Sequence, residues 1–114
     1  MRPIPKNLLI HEVTLHKLMK ADEFYDEGVP DAGMVLKHVR LEPSSKIVRG
    51  KDNAEIQLAA TMFYDCKNSE PQNVAFQVDD IIVFHEQKHQ VKVVEPLYDG
   101  RKLHHYELGL IKYA

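Results

Sequence analysis

Hydrophobic and polar positions alternate with a period of two along several short stretches of the chain, the pattern of strands with one face buried. In AEIQLAATMFYDC, Ile56, Leu58, Ala60, Met62 and Tyr64 fall on one side. In MVLKHVRLE, Val35, Lys37, Val39 and Leu41 oppose Leu36, His38, Arg40 and Glu42, and Pro43 ends the run. LLIHEVTLHKLM fits two periods: Leu9, Val13 and Leu15 alternate around His11, while Leu8, Leu15, Leu18 and Met19 fall near one helical face. The β-branched Ile10, Val13 and Thr14 tip this stretch toward a strand.

DDIIVFHEQKHQVKVVEP has two apolar runs around Glu86-Gln87-Lys88 and predicts a hairpin. Ile81 and Val83 oppose Ile82 and Phe84, and a strand apolar on both faces belongs inside the fold. Asp99-Gly100 is a strong turn signal, after which LHHYELGLIKY supplies a last strand. On it, His104, Tyr106, Leu108 and Leu110 point one way and His105, Glu107, Gly109 and Ile111 the other. Pro3 and Pro5 suit an extended lead-in. The stretch 20–33, KADEFYDEGVPDAG, has loop chemistry and is the longest candidate loop; its acids lack the spacing of a calcium-binding loop. With about six strands, no internal repeat and no convincing long helix, the expectation is an all-β fold, a small antiparallel barrel or sandwich in one domain over 1–114.

Composition narrows the classes. The 114 residues are 44% hydrophobic and 28% charged, ordinary for a globular protein that folds without staples. No apolar run reaches the roughly 20 residues that span a bilayer, and MRPIPKNLLI lacks the pattern of a secretory signal, so the expected site of synthesis is the cytoplasm. The formal charge of −2 leaves seven histidines neutral, and their protonation would carry the chain past zero in mildly acidic solution. That balance argues against strong, constitutive attraction to nucleic acid at neutral pH. Cys66, the single cysteine, permits neither an internal disulfide nor a Cys-x-x-Cys zinc site.

Candidate chemistry is sparse. Two imidazoles and a carboxylate in HHYE suit zinc, but neighbouring strand residues diverge, so only His105 shares a side with Glu107. His85 and His89 are the only clustered histidines that could complete such a site, and no metal or other cofactor is expected. Ser44, Ser45 and Ser69 lie in polar breaks without a nucleophile elbow, and no glycine-rich phosphate cradle is present. Asp79-Asp80 reads as turn capping. Lys46, Arg49 and Lys51, with Arg40 nearby, could touch phosphates, but no aromatic residues interleave with them.

Taken in order, MRPIPKNLLIHEVTL, TMFYDCKNSEP, VDDIIVFHEQKHQVKVVEP and LHHYELGL resemble the minor capsid proteins of tailed phages and prophages, of the head-tail connector group. The resemblance covers most of the chain. Its most characteristic parts are the closing His-His-Tyr-Glu followed by an apolar residue and the MRPIP opening; the family's hairpin often carries a glycine where Glu86-Gln87-Lys88 stands here. It implies a β-rich, non-enzymatic virion subunit, assembled in the bacterial cytoplasm as a homo-oligomeric ring between portal or adaptor and tail proteins. Passing contact with packaged DNA is implied, and no membrane. His104, His105, Tyr106 and Glu107 would be framework or interface residues of the last strand. The acidic loop, with Asp22, Glu23, Asp26, Glu27 and Asp31, is expected to face the DNA channel or the adjacent ring.

Two other classes stay open. A small oligonucleotide-binding barrel predicts salt-dependent affinity for single strands, which the absence of tryptophan disfavours. A His/Glu metal-dependent enzyme predicts stoichiometric metal after purification.

Overall fold

The computed structural model describes residues 2–17, 33–50 and 52–113. The expected acidic loop lies outside them, apart from Gly33, and so does Lys51. A short 3-10 turn, Lys6–Leu8, precedes eight strands: β1 His11–His16, β2 Met34–Pro43, β3 Ile47–Arg49, β4 Glu55–Gln57, β5 Ala60–Asp65, β6 Ile81–Phe84, β7 Gln87–Asp99 and β8 Lys102–Lys112. Six of them close a barrel in the order β1-β2-β5-β8-β7-β6, with every pairing antiparallel. The remaining two, β3 and β4, form a separate two-stranded arm. The all-β expectation therefore resolves to a barrel rather than a sandwich.

Alternation builds the interior. Val13 and Leu15 from β1, Met62 and Tyr64 from β5, Ile82 from β6 and Leu108 and Leu110 from β8 are all buried in one core. On β6 only Ile82 is fully interior, because Ile81, Val83 and Phe84 are half-buried on a strand that is not covered on both faces.

Three strands break strict alternation, each at a bulge. In β2 the register passes from His11↔Val39 to Glu12↔Lys37, so His38 is an extra residue, held at φ 58°. The inward set is consequently Leu36, Val39 and Leu41, and the expected face of Val35 and Lys37 lies outside. In β7 the extra residue is Lys92, so burial steps from Val91 to Val94. In β8 it is His104, between the pairs Tyr98↔Leu103 and Leu97↔His105. An unpaired residue bends its strand and adds local twist, which a small closed barrel requires.

Other expectations shift in detail. The β6–β7 turn consists of His85 and Glu86, at φ 50° and 65°, so Gln87 already pairs with Phe84 and the turn lies one residue earlier than Glu86-Gln87-Lys88. The run from Ile56 to Tyr64 is two strands, because Leu58 N–H turns away to donate to Lys46 C=O and Ala59 N–H to Leu110 C=O. The arm partner β3 occupies a stretch whose charge suggested a loop. It folds back through a turn in which Gly50 C=O accepts the Asn53 N–H.

Candidate functional site

The last strand carries the most distinctive side-chain arrangement. His105 and Glu107 face outward together as alternation requires, with His105 Nε2 3.0 Å from Glu107 Oε2. Phe63, paired with Glu107 across β5–β8, stacks on the His105 ring at 6.5 Å. His104 does not project to the opposite face, because the bulge turns it toward its neighbour: the two Nδ1 atoms are 2.7 Å apart and the rings meet edge to face. His104 Nε2 lies 2.7 Å from the Arg2 carbonyl, an acceptor, so this nitrogen donates. A hydrogen-bonded chain thus ties the N-terminal segment through both histidines to Glu107. Tyr106 turns inward and packs edge to face on Phe76, beside Tyr64.

The metal reading gains no ligands from the hairpin. His89 points into the barrel opposite Ile82 and pairs with Lys112, seven residues along β8 from His105, roughly 23 Å at strand rise. His85 sits in the turn against Phe84. No group of three metal-ligating side chains occurs among the described residues.

Nucleophiles fare no better. Burial pushes the Cys66 thiol up, away from reactivity. The Ser69 hydroxyl is buried and donates to the His38 carbonyl, and Ser44 Oγ accepts the Lys46 N–H at 3.2 Å. Asp80 does cap: its carboxylate accepts the Gln77 N–H at 2.8 Å and an ion pair from Lys17 at 2.8 Å. Asp79 pairs with Lys92.

The candidate phosphate contacts disperse. Arg40 is occupied by Glu42 and the Leu8 carbonyl, and Arg49 donates to the Asn53 carbonyl within the arm.

Two features were not anticipated from the sequence. The first is Asp65, fully buried at the end of β5. Its carboxylate accepts backbone N–H groups from Ile4 at 3.0 Å, Lys67 at 3.1 Å and Asn68 at 2.8 Å. Asn68 returns a bond to the Ile4 carbonyl, and Ser69 Oγ accepts the Asp65 N–H, so one acid knots the N-terminal segment to the 65–70 turn. Lys37 and Glu70 then exchange backbone bonds, docking that turn on β2. The second is Gly109, whose lack of a side chain lets Leu58, at the foot of the arm, rest on the outer face of the barrel.

A family model described as Minor capsid protein matches residues 5–110. No curated protein and no solved structure matches.

Proposed function

Because the chain belongs to the minor capsid protein family, a structural component of the phage virion, we propose that it is a non-enzymatic subunit of the head-tail connector. In this reading it assembles as a ring between portal or adaptor and tail and helps to retain or gate the packaged DNA. The observation that carries the reading is a closed barrel with elements standing outside it. Closure removes the open sheet edges through which strands pair indiscriminately, so subunits must meet through what projects. A ring needs one patch to meet a different patch on the next subunit. The β3–β4 arm offers Ile47, 60% exposed, and the N-terminal segment offers Leu8 and Ile10, 46% and 64% exposed, beside a concavity lined by Ile4, Leu9 and Phe63.

Within this reading, the outward His105 and Glu107 belong to a subunit contact, while His104 and Tyr106 hold that contact's framework. The acidic residues Asp22, Glu23, Asp26, Glu27 and Asp31 face the channel or the adjacent ring, where like charge lets DNA pass.

Deleting the gene in the phage or prophage that encodes it tests the proposal. Negative-stain microscopy should then show separate heads and free tails, rescued by added protein; normal infectious particles would end the connector reading. Charge reversal at Asp22, Glu23, Asp26 and Glu27 should lower the yield of joined particles.

A further inference from the structure

We propose that the end of the barrel built on the 65–70 turn is a contact for the phosphate backbone of double-stranded DNA, formed by Lys6, Lys37, Lys67 and Lys102. Two concavities of about 510 Å³ each open there. Lys6, Lys37 and Lys67 line the first with the side chains of Asn68 and Gln72. The second shares Lys67 and Gln72 and adds Lys102. Four lysines drawn from distant parts of the chain therefore border one continuous surface, and Arg2, exposed beside it and held through its carbonyl by His104, adds a further cation.

None of these four ammonium groups ion-pairs with an acid among the described residues, whereas Lys17, Arg40 and Lys92 all do. Three acids share the concavities, Glu70 in the first and Asp65 and Asp99 in the second, so the four lysines, with Arg2 beside them, outnumber the carboxylates. Those carboxylates are directed to other partners: Asp65 is buried and accepts three backbone N–H groups, Glu70 lies 3.5 Å from His38 Nε2, and Asp99 is also engaged. The backbone beneath the lysines is anchored. Lys37 exchanges both backbone bonds with Glu70, Lys67 N–H donates to Asp65, Lys6 follows the Ile4 segment that Asp65 holds, and Lys102 opens β8 opposite Asp99. Binding would order only the lysine stems, not a loop.

The chemistry favours a duplex. Lysines are point charges suited to phosphate oxygens, the Asn68 and Gln72 amides each keep a second N–H beyond the one given to a backbone carbonyl, and no Phe, Tyr or Trp is among the residues lining either concavity, whose one imidazole, His104, is held by Arg2 and His105. The net charge of −2 does not oppose this, because a phosphate backbone responds to the local surface it meets rather than to the total charge of the chain. The inference takes from the virion assignment the choice of DNA as the polyanion, and it does not depend on the ring.

The test uses the full chain and a labelled random-sequence duplex, with binding followed by fluorescence anisotropy. Four phosphate contacts predict a slope of log K against log salt of about −3 to −4 between roughly 50 and 200 mM. Replacing the four lysines together, as K6Q/K37Q/K67Q/K102Q, should weaken binding at least about tenfold and flatten that slope, while four Lys→Arg changes preserve both. K88Q/K112Q, exposed at the other end of the barrel, should change neither. Absence of binding at the lowest salt, or binding that survives the quadruple Gln variant, would overturn the proposal. So would polyglutamate competing better than duplex at equal charge, which would assign the surface to an acidic protein. Separated heads and tails on gene deletion with no duplex binding would leave the connector reading standing and remove this one; the converse pair of results would do the reverse.

Discussion

The Asp65 carboxylate accepts the Ile4 N–H at 3.0 Å, joining the end of β5 to a segment 61 residues earlier in the chain. Because the same carboxylate also closes the turn through Lys67 and Asn68, one side chain fixes both the N-terminal segment and the ground from which Lys6 and Lys67 project. Stability and the proposed polyanion surface thus share an origin.

Asp65→Ala should therefore be among the most damaging single changes away from the apolar core. It strands three backbone donors at a buried position, and each such loss costs on the order of 1–3 kcal/mol, partly recovered by water. A total of about 2–4 kcal/mol is expected in urea denaturation, with Asp65→Asn intermediate because it keeps one acceptor oxygen. A loss under about 0.5 kcal/mol would mean that the knot is not fixed as described.

The β6–β7 turn holds His85 and Glu86 both in the left-handed region, the geometry of a two-residue turn with positive φ at each centre. Side chains there are strained, and glycine relieves the strain at the second position. Glu86→Gly should raise the denaturation midpoint, by about 0.5–1 kcal/mol in free energy. Glu86→Val should lower it, since a β-branched residue tolerates positive φ least. A stabilising Val would contradict the turn geometry.

What was legible in the sequence follows from the range of each signal. Alternation exposed β5 and β8, a short apolar run exposed β6 though not its half-buried outer face, and Asp99-Gly100 marked the β7–β8 turn, because these patterns are local. In the β3–β4 arm, β4 lies in a run that alternation marks as strand, whereas the charge around β3 reads as loop, although the turn residues Asp52 and Asn53 lie between Val48 and Ile56, which pair with each other. The bulges at His38, Lys92 and His104 had none, since an extra residue is defined by the strand opposite, and they inverted the expected faces of Val35, Lys37 and His104. Asp65 looked like any acid at a strand end until Ile4 arrived against it. The four lysines belong to four elements and meet only through the barrel's closure. For the HHYE stretch, alternation correctly paired His105 with Glu107, but a role at a subunit contact is a property of surfaces that one chain does not display.

Gly109 gives the closing LGL a packing reason. A Cβ there would sit 3.0 and 3.1 Å from the Leu58 methyls and 3.1 Å from Val93 Cβ. The methyls can rotate away, but Val93 Cβ is tied to the β7 backbone. Gly109→Ala should cost about 1 kcal/mol and Gly109→Val up to about 3, as overpacked sites do. Leu58→Ala should partly rescue Gly109→Ala, with a double-mutant cycle giving a coupling above about 0.5 kcal/mol. Strict additivity would show that the arm does not rest on this glycine.

Alkaline pH should reveal the aromatic end of the core. Tyr64 is buried against Phe76, its hydroxyl donates to the Pro71 carbonyl, and burial pushes its ionisation from 10.0 up to about 12. The unfolded chain loses this proton first, so the native state is favoured in full below about pH 10 and progressively less between about 10 and 12. At about 1.4 kcal/mol per unit, this one hydroxyl accounts for a loss on the order of 2–3 kcal/mol across that window. Burial raises Tyr106 and Cys66 as well, which adds to the loss in the same direction. Tyr64→Phe should be less stable near neutrality by about 1–2 kcal/mol, because the Pro71 carbonyl loses its donor, yet fall less steeply above pH 10. Urea denaturation of both proteins at neutral and alkaline pH measures the two slopes. Parallel curves would mean that the Tyr64 hydroxyl does not carry the alkaline transition.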